Sequence, residues 1–329
     1  MKILVTGATG CLGGVTARRL AAAGHAVTGS GRDRAKGAGL AAEGVDFASV
    51  DLADRAALTA LAARHAVIIH AGGLSSAWGR RDDFMRANVA PTQVLIEAAR
   101  GAGSRLIFVS SPSIYFDFTD RTDIDPDAAP AAKPVNGYAE SKRVAERLVQ
   151  AAAQSGLDAA ILRPRAIFGA GDTALMPRLL RAAGRGRLPL IDGGRALLDM
   201  SYVDNVADAL IAAALHPAPL RGRAYNISNG EPIAVADLMR AVVTGLGLKA
   251  RLVPIAFALA YAAAAALEAA ACLRPSRPEP VLTRYTVGVL AKTQTLSIER
   301  ARRELGWTPR VALRDGIDRT LAAWRSEHA

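Results

Sequence analysis

Three glycines spaced three residues apart, set between an apolar run and a helical pattern, constrain this chain more than any other feature. KILVT, from Lys2 to Thr6, has the length and composition of a strand; GATGCLGG follows, and a helical periodicity then runs to Ala22. A strand that ends in a glycine-rich turn and re-enters a helix aims backbone N–H groups at one spot, which suits a pyrophosphate. Gly7 lets the chain turn tightly, Gly10 lets the backbone approach the pyrophosphate, and Gly13 lets the helix pack close to the sheet. The spacing is G-x-x-G-x-x-G and not G-x-G-x-x-G, so the strand before and the helix after carry much of the argument. A tight turn without a ligand is the competing reading.

Such a unit implies a parallel sheet, and the chain continues the alternation. Apolar runs at 26–30, 45–50, 67–71, 105–110 and 159–163 read as strands, the last ended by Pro164. Helical patterns fall at 84–100 and from Tyr138 to about Ser155, and residues 117–134, rich in Asp and Pro, read as a surface loop. Beyond this the order loosens. Residues 176–186 read as a short helix, 199–203 as a strand returning to the first sheet, 204–215 as a helix, 224–228 as a strand, and Pro232 as a helix start. The expected fold is α/β: a doubly wound parallel sheet, or Rossmann fold, with a smaller C-terminal substrate domain. Residues 1–166 and 195–228 are assigned to the nucleotide domain, 167–194 and 229–329 to the substrate domain.

The strand ends suggest what binds. An acidic residue after the second strand would hold the 2′-hydroxyl of NAD; here Gly31 stands with Arg32 and Arg34 after it, which suits a 2′-phosphate and hence NADP, with Asp33 between them as a counterweight. Asp51 and Leu52 follow the third strand, where a carboxylate can accept from an adenine amino group, while Asp54 can cap the next helix. Ala71, Gly72 and Gly73 end the fourth strand with small residues where backbone must pass a ligand. Ser111 and Ser113 sit at the carboxyl end of the fifth, the edge at which open α/β sheets bind ligands.

Net charge is +11, carried mostly by arginines that are not interleaved with aromatics, so an anionic cofactor and substrate fit better than nucleic acid. Cys11 and Cys272 have no pairing pattern and the five histidines no metal-ligand spacing; a reducing, cytoplasmic setting and no metal are expected. MKILVTGATG runs straight into the first strand and leaves no room for a signal peptide. The alanine-rich stretch 252–273 admits three readings: a membrane span, a buried helix pair, or an apolar lid associating weakly with a membrane surface. The tail from Ser297 reads as amphipathic helix ending near Trp324.

YAESK places Tyr138 and Lys142 one helical turn apart, on one face. A lysine ammonium beside a phenol favours the phenolate and lets the pair move a proton to or from an alcohol oxygen. A solvated helix face is the alternative.

TGATGCLG, HAGG, SSPSIY and YAESK, in this order and spacing, resemble the extended short-chain dehydrogenases/reductases over nearly the whole chain. LRPRAIFGAGD, LLDMSYVDNVADA, YNISNGEP and EPVLTR resemble that family's 3β-hydroxysteroid dehydrogenase branch, and within it the bacterial 2-alkyl-3-oxoalkanoate reductases of olefin biosynthesis, as does SSAWG (Ser75 to Gly79). The resemblance implies an NADPH-dependent oxidoreductase that reduces the 3-keto group of a hydrophobic 2-alkyl-3-oxo acid and works as a homodimer through the helices at 84–100 and around Tyr138. It maps catalytic Ser, Tyr and Lys onto Ser111, Tyr138 and Lys142, and a relay asparagine onto Asn88. Lys142 is to bind the nicotinamide ribose. Thr9, Cys11 and Leu12 join the glycines in the cofactor cradle, and Pro164 and Ile167 border the nicotinamide. Ser75, Trp78, Ser113 and Arg165 fall on the substrate side, Arg165 meeting either a substrate carboxylate or a structural partner. The alternatives are a 3β-hydroxysteroid or sterol dehydrogenase and a nucleotide-sugar epimerase or dehydratase; against the last, Ala166 stands where such enzymes usually carry Asn in an RPxN pattern.

Overall fold

The protein is described by a computed structural model covering residues 1–172 and 186–328. Its centre is a seven-stranded sheet, parallel throughout, of β1 (Lys2–Thr6), β2 (Ala26–Gly31), β3 (Asp46–Ser49), β4 (Val67–His70), β5 (Arg105–Val109), β6 (Ala159–Pro164) and β7 (Arg223–Ile227). The spatial order is β7-β6-β5-β4-β1-β2-β3, so the winding reverses between β1 and β4. At such a switch point the helices leave to opposite faces and a crevice opens at the carboxyl ends of the strands.

Both faces of the sheet are covered, as their apolar strands demand. Neighbouring residues of one strand enter different cores: Ile3, Val5, Ile69, Ile107 and Leu162 lie in one, Leu4, Ile68, Leu106, Phe108 and Ile161 in the other. Helix α1 (Cys11–Ala22) packs on the first face, as do α2 (Arg34–Ala42), through Leu40, and the helix Val203–Ala214. On the second face lie α3 (Arg55–Ala62), α4 (Ala90–Ala102) and α5 (Gly137–Gln154). Asp33, Asp54 and Asn136 cap α2, α3 and α5 through their side chains, each satisfying an otherwise orphaned N–H.

Several expectations need correction. The helix expected at 84–100 is interrupted: Arg81–Phe84 is α-helical, Met85–Val89 is a π turn, and α4 begins at Ala90. Residues 117–134 are not all loop. Arg121–Ile124 forms a strand beside Gln294–Leu296 and buries Ile124. The strand expected at 199–203 is only Ser201–Tyr202, and it joins Ile167–Phe168 in a separate pair, not the first sheet. Ile233–Ala234, and not a helix, follows Pro232; it pairs with Leu197–Leu198, and the helix Val235–Gly245 comes after. Residues 176–186 lie outside the described residues but for Gly186.

The stretch 252–273 is neither span nor buried helix pair. Pro254 sits in the strand Arg251–Ile255, whose extended backbone suits it, and one helix, Phe257–Cys272, follows. That helix packs on Arg284–Ala291 through a narrow stripe, and no helix among the described residues is long and apolar enough to cross a membrane.

Candidate active site

The turn after β1 is closed by contacts that only glycine allows. A Cβ on Gly7, whose φ is +71°, would lie 2.6 Å from the Gly72 Cα, and one on Gly13 would lie 2.3 Å from the Gly7 carbonyl oxygen. Gly10 caps α1 without a side chain, leaving the first helical N–H groups open toward the strand ends. Thr9 stands beside Gly31, Leu12 is buried behind the turn, and the Cys11 thiol donates to Ala170 O at 3.4 Å, its pKa pushed up to about 11 by burial. Ala71, Gly72 and Gly73 pass across the turn, with the Gly72 N–H donating to Thr6 Oγ1. The cradle, the helix N-terminus and the switch-point crevice fit a dinucleotide.

At the adenosine end, a Cβ on Gly31 would stand 2.6 Å from Thr9 Oγ1. An acidic side chain therefore has no room at this position. Asp33 is engaged as the cap of α2, accepting from Lys36 N, while Arg32 and Arg34 are exposed and Arg34 donates to Ser49 Oγ at 3.3 Å. Asp51 is exposed and accepts from Ala53 N, and Leu52 lies against Gly72.

Tyr138 and Lys142 share one face of α5, but the structure gives them different partners. Burial pushes the Tyr138 phenol above its ordinary pKa, while hydrogen bonds with Ser111 and Ser75 hold it back. The Lys142 ammonium donates to Val109 O at 2.8 Å and lies 5.0 Å above the Phe108 ring. Burial brings its pKa down to about 8 against the opposing charge of Glu146. Lys142 does not figure among the groups acting on the phenol in this structure. Glu146, one turn on, is held by Arg163 of β6 in a buried pair at 2.6 Å that ties α5 to the sheet. Next to Lys142, His70 bonds Thr6 Oγ1 through Nδ1 and is held neutral, its pKa brought down to about 3 mainly by burial.

Ser111 and Ser113 have separate roles. Ser111 Oγ caps the turn Pro112–Tyr115 by accepting from Ser113 N, and faces the phenol; Ser113 Oγ is buried without a hydrogen-bond partner among the described residues. Asn88, in the π turn, spends its whole amide on structure: Oδ1 accepts from Leu74 N at 2.7 Å, and Nδ2 donates to Leu74 O and to Ser141 Oγ. It thereby clamps the Gly73–Ser75 strand exit to α5. Trp78 donates from Nε1 to Arg277 O at 3.0 Å and so links this loop to the segment beyond Cys272.

On the substrate side, Arg165 is 5% exposed, and its Nε and Nη2 have no hydrogen-bond partner among the described residues. Asp199 attracts it without bonding those nitrogens; burial pushes the Asp199 carboxyl up to about 6 and leaves its Oδ1 unpartnered. Tyr285 lies within electrostatic reach of both Arg165 and Tyr138. Pro164 ends β6 opposite Ile227, and Ile167 pairs with Ser201. Ala166 between them holds a left-handed φ of +44°, a conformation in which asparagine is far more at ease than alanine. Tyr285 and Asp199 were missed from the sequence. The resembling segment EPVLTR stops one residue short of Tyr285, and Asp199 lay in the resembling segment LLDMSYVDNVADA and in the expected strand without being given a role.

The profile of the NAD dependent epimerase/dehydratase family matches residues 3–228. The chain is 37% identical to a 2-alkyl-3-oxoalkanoate reductase of Stenotrophomonas maltophilia, over 98% of this chain and 99% of that protein. It is 32% identical to the sterol-4-alpha-carboxylate 3-dehydrogenase, decarboxylating, of Mus musculus, over 73% of this chain and 69% of that protein. Among solved structures, MoeE5 in complex with UDP-glucose and NAD superposes with a TM-score of 0.78 at 25% identity, over the full length of both chains. The fold, the glycine cradle and the reductase and dehydrogenase relatives agree on an NAD(P)-dependent oxidoreductase of keto and hydroxyl groups, and the chain belongs to the NAD dependent epimerase/dehydratase family.

Proposed function

We propose that the protein is an NADPH-dependent reductase of the 3-keto group of a hydrophobic 3-oxo acid, a 2-alkyl-3-oxoalkanoic acid. The observation that carries this reading is the buried guanidinium of Arg165, two of whose nitrogens lack partners among the described residues, with Tyr285 in electrostatic reach of both Arg165 and Tyr138. A buried unpaired charge is strongly destabilising, so a site that keeps one is built to receive an anion. A 3-oxo acid carries its carboxylate one carbon from the ketone, so one substrate would offer an anion to Arg165 and a ketone oxygen to Tyr138.

The residues that would hold the cofactor follow from the cradle. Gly7, Thr9, Gly10, Cys11, Leu12 and Gly13 surround the pyrophosphate, Arg32 and Arg34 meet the 2′-phosphate, and Asp51 and Leu52 border the adenine. Ala71, Gly72 and Gly73 line the middle, Lys142 serves the nicotinamide ribose, and Pro164 and Ile167 flank the nicotinamide. When bound, NADPH supplies the hydride. Ser111 hydrogen-bonds the ketone oxygen. Tyr138, kept protonated by its burial, gives that oxygen its proton as a general acid. Asn88 is a positioning residue that holds the Ser75 loop against α5. The nucleotide part is assigned to 1–166 and 195–228 and the substrate part to the remainder.

A sterol dehydrogenase is the second reading, favoured by the mouse relative, whose named substrate is also a carboxylate. A panel of 2-alkyl-3-oxo acids, their methyl esters and 3-hydroxysteroid acids, read by NADPH absorbance, tests both. Arg165→Leu should raise KM for the acids by roughly 10- to 100-fold, the loss expected for a charge-assisted hydrogen bond, and leave the esters nearly unchanged. Equal losses on acid and ester would remove the basis for a carboxylate substrate.

A further inference from the structure

The helix Phe257–Cys272 has two unlike sides. Its buried stripe is narrow: Ala260, Ala264, Glu268 and Ala271, with Glu268 bonded to the Arg284 side chain at 2.6 Å. The opposite side is exposed and carries no charge at all, presenting Leu259, Ala263, Ala266, Leu267, Ala270 and, just past the helix, Leu273. Leu259 is 67% exposed and Leu273 87%, with Val281 nearby in sequence at 73%. Single exposed leucines are ordinary; an uncharged face along a whole helix marks an interaction surface.

Charge says what covers it. Residues 249–292 carry six cations, Lys249, Arg251, Arg274, Arg277, Arg284 and Lys292, against Glu268 and Glu279. Arg274 and Arg277, just past the helix, and Lys249 and Arg251, ahead of it in sequence, are exposed, while Arg284 is paired with Glu268 and Lys292 lies over the Phe257 ring. That pattern matches a helix lying in the plane of a bilayer, apolar side down, with cations at the level of anionic headgroups. Inward, a series of aromatic contacts leads from this helix to the catalytic centre. Phe257 meets Tyr261 at 5.4 Å, Tyr261 meets Phe118 at 5.7 Å, Phe118 meets Phe116 at 5.1 Å, and Phe116 meets Tyr285 at 5.6 Å. Phe118 holds a left-handed φ of +65°, a strained conformation for a bulky residue and one that recurs at functional sites.

We infer that the outward face of the helix Phe257–Cys272 docks on an anionic membrane surface and sets the aromatic path to Tyr285 above the bilayer. The docking does not rest on the choice of substrate, since it is measured without one. The full chain is sedimented with vesicles of phosphatidylcholine containing one-third phosphatidylglycerol, and with vesicles of phosphatidylcholine alone. Binding should favour the anionic vesicles and weaken with salt. Leu259→Glu combined with Leu267→Glu should lower partitioning by more than about tenfold, while reduction of a water-soluble ketone stays unchanged. Arg274→Glu with Arg277→Glu, which leaves the helix intact, should weaken binding to anionic vesicles only. Three results would overturn the inference: no sedimentation with anionic vesicles, sedimentation indifferent to both pairs of substitutions, or a halved mass by light scattering in the leucine variant, which would make this face a contact between two copies.

Discussion

Tyr138 and Lys142 share a helix face, but burial acts on them in opposite directions, holding the phenol protonated and easing the ammonium toward its neutral form. A lysine pKa depressed from its ordinary value to about 8 means that the folded protein loses this proton well before the unfolded chain does. The charge proposed to meet the ribose therefore fades as pH rises through about 8. We predict that NADPH affinity, followed by nucleotide fluorescence, falls across that range, and that Lys142→Arg, which stays charged, keeps it level. A flat profile in the parent would contradict this role. Arg32 bears on cofactor choice. Thr9 crowds any side chain at Gly31, which leaves the proposed 2′-phosphate contact to the arginines. Arg32→Ala should weaken NADPH by about 10- to 100-fold and leave NADH almost unaffected, as steady-state KM values for each would show; equal losses would remove the NADP assignment. The tyrosine and lysine were legible because both lie on one turn of one helix. The solitude of Arg165 was not, since it depends on what Tyr285 and Asp199 fail to offer after the chain has folded.

The glycine turn, the apolar strands and α5 were readable because each is specified locally, by spacing, by β-branched runs and by Asn136 as a cap. The short strands were less so: Ser201–Tyr202 fell inside the strand expected at 199–203 but with other bounds and another partner, and Ile233–Ala234 was missed, since two-residue strands exist only through distant partners. The π turn at Met85–Val89 was equally hidden, since one extra residue in a turn leaves a helical pattern nearly intact. Helices α4 and α5 lie side by side over the second core and offer a surface for the same pair from a second copy. We expect them to form a four-helix bundle, so that light scattering at micromolar concentration gives twice the chain mass; the mass of a single chain would contradict it.

Across the whole molecule, the parallel sheet was visible in the sequence because its central strands, buried on both faces, are mostly apolar. The proposed substrate side draws Ser75, Arg165, Asp199 and Tyr285 from four separate segments, and only Ser75 and Arg165 were singled out from the sequence. A chain-order reading finds a nucleotide cradle more readily than a pocket assembled from loops. The claim that unites cradle and pocket is that Tyr138 supplies the proton where reduction takes place. Tyr138→Phe removes one oxygen and keeps the ring packed 6.2 Å from Phe84, so folding and NADPH binding should persist. On that variant, once shown by fluorescence to bind NADPH normally, ketone reduction should fall by about 10²- to 10⁴-fold, chiefly in kcat; turnover within a few-fold of the parent would contradict the account.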